Sequence, residues 1–214
     1  MCGRYSIGFD AKTIQDRFLT ENKAAFDETY NAAPQQELPV ITRSTTNQLE
    51  LATWGFQPSW AGKNHDGFIN ARVETADEKP SFETAWEHNR CLIPASGFYE
   101  WTEDAAGKNP YYFQCDEELF SFAGLWSTTS EGRITYAILT RPANEDVRDI
   151  HNRMPVILNK EEEGSWLLNK LGKKRVFTGR PSLSRHPVTK AVNSPSNDGS
   201  FLTDEQDELS SFMS

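Results

Sequence analysis

The apolar positions change period part-way along the chain. In the first ninety or so residues helical spacing occurs twice. Ile14 and Phe18 follow Asp10, whose side chain can cap a helix, and Phe82, Ala85 and Trp86 recur within 81–88. Between them, 38–43 and 48–54 read as paired strands, the second alternating Leu49 and Leu51 with polar neighbours across a Ser-Thr-Thr-Asn turn. Asn31-Ala32-Ala33-Pro34 reads as a loop, and 54–60 as an aromatic segment broken by Gly55 and Pro58 ahead of a polar loop at 62–67. From Arg90 onward short apolar or aromatic runs are separated by turn residues, at 91–94, 97–101, 111–114, 119–125, 134–140 and 154–158. A surface helix is expected over 160–170 with Trp166 and Leu167 inward, and a last strand over 187–192. The pattern predicts an α+β fold with an antiparallel, barrel-like β core and flanking helices.

Composition narrows the picture. With 214 residues the chain fits one domain, and 13 Phe, 6 Trp and 6 Tyr point to a core packed largely with aromatic rings. We expect one domain over 1–197 and an acidic, mobile tail over 198–214. No run approaches the roughly 18 apolar residues of a membrane span, and no basic-then-apolar leader opens the chain, so a cytoplasmic protein without a membrane partner is expected. The cysteines, Cys2, Cys91 and Cys115, are odd in number and lack CxxC spacing, which indicates neither a disulfide framework nor a zinc site. Cys91 and Cys115 read as buried thiols, and His65, His88 and His186 as surface residues. The net charge of −9 argues against strong non-specific binding to DNA, because phosphate contacts come from Lys and Arg. Five of the acids lie in 194–214, which has no Lys or Arg, leaving −4 on residues 1–193 and room for a local basic groove.

The candidate chemistry begins at Met1-Cys2-Gly3-Arg4-Tyr5. Removal of Met1 would make Cys2 a 1,2-aminothiol, with an α-amine of reference pKa about 7.7–8.0 beside a thiol of about 8.5. Such a pair condenses with an aldehyde through an imine and closes a thiazolidine ring. Alternatively its thiolate attacks a carbonyl with the amine as base. Retention of Met1 would turn the amine into an amide and abolish the imine route.

Three further islands couple a polar side chain to turn or aromatic residues: Phe68-Ile69-Asn70-Ala71-Arg72-Val73-Glu74-Thr75, the stretch from Arg90 to Trp101 containing Phe98-Tyr99-Glu100-Trp101, and Ile150-His151-Asn152-Arg153-Met154-Pro155. With Trp54-Gly55-Phe56 and Pro187-Val188-Thr189-Lys190-Ala191-Val192-Asn193, in this order, they resemble the SOS-response-associated peptidase (SRAP) family, the abasic-site processing proteins of bacteria and eukaryotes, from Cys2 to about Asn197. The resemblance implies a terminal Cys that joins covalently to the ring-opened aldehyde of an abasic site in single-stranded DNA as a thiazolidine. It implies Cys2 as the crosslinking residue, with Asn70, Glu100 and His151 as supporting polar groups. The chemistry suits them. A carboxyl among aromatics can shuttle the proton that removes a hydroxyl, a carboxamide can orient amine or sugar without charge, and an imidazole titrates near neutrality. Arg4 and Arg72 stand where guanidinium forks could clamp phosphates, and Asn31 and Trp60 are further candidates for DNA contact, Trp60 as a stacking platform. No metal, nucleotide or organic cofactor is required by these residues.

Two other classes share the features. An N-terminal-Cys amidohydrolase also begins Met-Cys-Gly, but no Asn-Gly-Glu type oxyanion loop is present. A non-catalytic single-stranded-DNA-binding module would need only the Arg and aromatic side chains.

Overall fold

The computed structural model describes residues 2–22, 24–61, 67–104, 107–178 and 182–206. Most of the expected loop at 62–67, with His65, and the tail from 207 lie outside them. The strands are β1 (Tyr5–Ile7), β2 (Thr29–Ala32), β3 (Glu37–Arg43), β4 (Asn47–Trp54), β5 (Asn70–Arg72), β6 (Arg90–Ala95), β7 (Gly97–Asp104), β8 (Gly107–Cys115), β9 (Phe120–Thr128), β10 (Ile134–Pro142), β11 (Arg153–Pro155), β12 (Ile157–Leu158) and β13 (Leu183–Pro187). The helices are α1 (Ala11–Phe18), α2 (Glu83–His88), α3 (Lys160–Leu167) and α4 (Lys173–Thr178), with 3₁₀ turns at Lys190–Asn193 and Ser200–Thr203. No helix among the described residues is long and apolar enough to cross a membrane.

The α+β class stands, but the expected antiparallel barrel is corrected: the strands divide between two sheets, and the core is not one closed antiparallel barrel. The smaller sheet is antiparallel, in the order β13-β8-β7-β1-β2. The larger is mixed, in the order β11-β10-β4-β3-β6-β9-β12, and β10 runs parallel to both β4 and β5. Its register explains why. Ile134 to Ile138 pair with β9 and Thr140 to Pro142 with β11 along one edge, while Thr135–Tyr136 and Ile138 to Thr140 meet β4 and β5 along the other. Strand β10, flanked on both edges and buried from Thr135 to Arg141, has no solvent face. A run apolar on both sides carries no alternation from which to read its partners.

Aromatic rings join the two sheets. Tyr5 of the smaller sheet meets Trp54 and Phe122 of the larger edge-to-face, at 5.1 and 5.8 Å between centroids, and Phe98 meets Phe122 at 6.1 Å. The Tyr5 and Tyr136 hydroxyls bond at 2.7 Å inside the core. Each ring of this size contributes about 1.5–3 kcal/mol on burial, plus geometry-dependent gains of about 0.5–1.5 kcal/mol per aromatic pair.

Helix α1 starts as its sequence dictates, the Asp10 carboxylate accepting Thr13 N–H at 2.7 Å, and it buries Ile14 and Phe18. Helix α3 buries Trp166 and Leu167, and the Trp166 indole donates to the Cys91 carbonyl at 2.9 Å. Over 187–192 the structure differs from the expected strand. Pro187 ends β13, and the Thr189 hydroxyl accepts Ala191 N–H, winding Lys190–Asn193 into a 3₁₀ turn. Asn31 and Ala32, expected in a loop, belong to β2. Cys91 is buried, whereas Cys115 at the end of β8 is only half-buried. His88 is exposed, and His186 is half-buried with Nε2 2.8 Å from the Thr203 carbonyl oxygen.

Candidate active site at the amino-terminal cysteine

Cys2 lies just ahead of β1, in the seam between the two sheets, and is fully buried. Two contacts fix its backbone surroundings. Tyr99 N–H of β7 donates to the Arg4 carbonyl at 3.0 Å, continuing the β1–β7 pairing towards residue 2, and the Asn70 side-chain amide donates to the Cys2 carbonyl at 2.9 Å. Asn70 is brought there by β5, a three-residue strand held against Ile138 of β10. Its Oδ1 is buried and, among the described residues, accepts no hydrogen bond, which leaves it as an acceptor for a substrate or for the amine of Cys2.

Glu100 projects from β7 and is 2% exposed. Burial pushes its carboxyl up to about 7, so it carries and releases a proton near neutral pH. The same burial, reinforced by the nearby Glu100 charge, pushes the Cys2 thiol far above its ordinary value, so the sulfur rests as a neutral thiol. His151 enters from the other sheet, two residues before β11, with Nδ1 4.0 Å from Glu100 Oε1. Its pKa is lowered, chiefly by burial. The four residues expected to carry the chemistry, Cys2, Asn70, Glu100 and His151, therefore meet in one place although they are spread over 150 positions of sequence.

The residues expected to contact DNA divide. Arg72, exposed on β5, lines a pocket of about 180 Å³ with Phe68, Asn70, Thr75 and Lys79. Trp60 is 66% exposed and lines a second pocket, of about 280 Å³, with Trp126 and Pro80; Ser81 belongs to both. The loop bearing Trp60 is pinned at its base by an antiparallel bridge between Phe56 and Phe68. There Gly67 has φ of +77°, and a Cβ on it would lie 2.3 Å from the Gly55 carbonyl oxygen.

Arg4 and Asn31 are brought together, but inside the protein. Arg4 Nη1 donates to Asn31 Oδ1 at 2.6 Å and to the Val192 carbonyl at 2.7 Å. Asn31 is 1% exposed, and its amide nitrogen donates to the carbonyls of Ser194 and Asn197 at 2.9 and 2.6 Å. The two side chains fasten the 192–197 segment beneath the Cys2 end of β1. Half-buried among carbonyl acceptors, the Arg4 guanidinium has its pKa lowered by desolvation.

Sequence reasoning missed Arg153 and Glu74. The Arg153 guanidinium forks onto the Glu74 carboxylate, Nη2 lying 2.9 Å from Oε2, and its backbone N–H donates to His151 Nδ1 at 3.0 Å. A signal was present: each sits two residues beyond a nominated residue, His151 and Arg72, in the same island. Among the described residues no group of His, Cys, Asp or Glu is arranged to hold a metal ion.

The chain is similar to several known proteins. The chain is 35% identical to the abasic site processing protein YoaM of Bacillus subtilis (strain 168), over 98% of this chain and all of that one. It is 38% identical to YoqW of the same organism over 94% and 98% of the two chains, and 28% identical to the abasic site processing protein HMCES of Gallus gallus over 92% and 76%. Among solved structures, a protein from Bacteroides thetaiotaomicron superposes with a TM-score of 0.82 at 26% identity, covering 96% of this chain and 100% of that one. The model of the family described as SOS response associated peptidase (SRAP) matches residues 1–195, and the chain belongs to that family.

Proposed function

We propose that this protein captures abasic sites in single-stranded DNA by joining Cys2 covalently to the opened deoxyribose as a thiazolidine, shielding the lesion. The observation that carries the reading is a buried Cys2, an aminothiol once Met1 is removed, with a carboxyl titrating near 7 beside it, in a member of the SRAP family. Hydrolysis of the Met1–Cys2 peptide bond, the self-processing step, consumes one water and frees the amine. The amine lone pair adds to the aldehyde carbon of the opened sugar, giving a carbinolamine, and loss of its hydroxyl as water leaves an imine. The thiol sulfur then adds to the same carbon while its proton passes to nitrogen, closing the ring. The condensation releases one water, and no redox change occurs.

The resting thiol supports an order of events in which nitrogen attacks first and sulfur follows once a base takes its proton. Glu100 serves as the shuttle: protonated, it assists departure of the carbinolamine hydroxyl; ionised, it accepts the thiol proton. Asn70 anchors the Cys2 carbonyl through Nδ2 and offers Oδ1 to the amine or a sugar hydroxyl. His151, neutral near pH 7, exchanges a proton with the hydroxyl of the opened sugar. Arg72 and Trp60 supply phosphate and stacking contacts along the two adjoining pockets, a mode of binding suited to a lesion with no base to read. Arg4 adds a positive charge close to Cys2, and Asn31 sets its fork. Cysteines in no disulfide support placing the reaction in the cytoplasm. A thiol held neutral does not favour an amidohydrolase, which needs a ready thiolate.

The test is to incubate Met1-free protein with a single-stranded oligonucleotide bearing one abasic site, denature, and weigh the product. A species of protein plus oligonucleotide less one water is expected. Binding without a denaturation-resistant adduct would overturn the reading in favour of a non-covalent module.

A further inference from the structure

We propose that Glu74 is a positioning residue for the crosslinking reaction, acting through Arg153 to set the aim of the His151 imidazole; the inference rests on the role given above to His151. Glu74 lies two residues past β5, and Arg153 opens β11. Both guanidinium Nη atoms reach the two Glu74 oxygens, and Nη2 also donates to the Thr140 carbonyl at 2.7 Å and to its hydroxyl at 3.2 Å. The pair is largely shielded, with side-chain exposures of 13% for Arg153 and 31% for Glu74. Its hydrogen bonds to Arg153 hold the Glu74 carboxyl below the usual carboxylate range, so the fork is ionic at neutral pH. The segment after β5, the central strand β10 and the start of β11 are thereby tied at one point.

The consequence falls on His151. His151 Nδ1 lies 3.0 Å from both the backbone N–H and the carbonyl oxygen of Arg153, so the Arg153 backbone holds that edge of the ring in either neutral tautomer. Glu100 Oε1, at 4.0 Å from Nδ1, is too distant to compete for that atom. Charged groups facing the ring include Glu100 from β7 and Arg153 on its own segment, with Glu74 neutralising the latter. Without the Glu74 carboxylate, Arg153 keeps only its Thr140 contacts. The backbone that presents the N–H is then free to shift against β10.

Two measurements on Met1-free protein test this. The chain has four histidines, so the ring-nitrogen NMR signals of His151 can be assigned. In the wild type, without DNA, the His151 ring nitrogens are expected to give one set of signals, as a ring held in a single orientation does. Glu74→Gln, close in size, should shift or broaden those signals, and Arg153→Lys, which keeps charge but not the fork, should do the same. The single-turnover crosslinking rate at saturating abasic DNA should fall at least about tenfold in Glu74→Gln, a displacement of about 1 Å at a reacting group being worth up to about 100-fold. Affinity for an oligonucleotide with a non-reactive abasic analogue should change less than about twofold, and Glu74→Asp should recover part of the rate. An unchanged ring signature in both variants, or a rate loss that merely tracks affinity, would overturn the proposal. Failure of the underlying reading shows separately, as His151→Ala that crosslinks at the wild-type rate.

Discussion

Glu100 Oε1 and His151 Nδ1 lie 4.0 Å apart although the two residues hang from different sheets. Glu100 and Cys2 belong to the smaller sheet and its leading segment, whereas Asn70 and His151 are carried by the larger one. These side chains are brought together by the packing of one sheet on the other, and the aromatic contacts between Tyr5, Trp54 and Phe122 join the two sheets at the seam.

Glu100 makes stability depend on pH. Unfolded, it titrates near 4.5; folded, burial holds it at about 7. The native state binds more protons between these values, so its contribution is most favourable below about 4.5 and is lost as pH rises towards about 7, by roughly 3 kcal/mol. Glu100→Gln should abolish that slope, so that urea unfolding at pH 8 shows the variant more stable than wild type while at pH 4.5 the two coincide. The variant should also lose the inflection near neutrality in the crosslinking rate.

Replacing Asn31 by Ala removes the acceptor of Arg4 and the donor to two carbonyls in a buried setting. We expect a loss of about 2–4 kcal/mol in chemical denaturation, since buried partners left unsatisfied cost about 1–3 kcal/mol each. Limited proteolysis should find new cleavage after Val192. An unchanged unfolding midpoint would show that the clamp does not bear on the fold.

Trp60 can be tested apart from the chemistry. Trp60→Ala should weaken binding to single strands by about 1–3 kcal/mol, the range for one aromatic–base stack, while adduct yield at saturating DNA stays at the wild-type level. Gly67→Ala should weaken binding too, because its Cβ would collide with the Gly55 carbonyl and displace the base of the Trp60 loop. Fluorescence anisotropy with a non-reactive abasic oligonucleotide reads both.

Arg72→Glu should lower affinity and flatten the plot of log affinity against log salt, by about 0.7 for each single-strand phosphate that the guanidinium neutralises. A titration with the wild-type slope would remove Arg72 from the DNA path.

Much of this was legible in the sequence where local chemistry decides structure. The Asp10 cap, the inward face of α3 and the strand pair β3–β4 each follow from a few adjacent residues. The islands around Asn70, Glu100 and His151 stood out because each pairs a reactive group with turn or aromatic residues, and the fold brings the three together at Cys2. What could not be read depends on distant partners. Strand β5 has three residues and exists because β10 offers it an edge. The partners of Arg4 lie 27 and 188 positions away, and nothing near Arg4 distinguishes an inward clamp from an outward phosphate contact. The division into two sheets was hidden for the same reason, since β10 is apolar on both faces and names no neighbour.

Strand β2 ends the smaller sheet, and an unpaired backbone edge there would be a template for a strand of another molecule. The chain closes it with its own later residues: the Asp198 carboxylate accepts Tyr30 N–H at 2.7 Å, and Leu202 is wholly buried in the turn that follows. A shortened protein ending before Asp198 would therefore keep its reactive cysteine and yet gain a sticky flank, self-associating at concentrations where the longer chain stays dispersed.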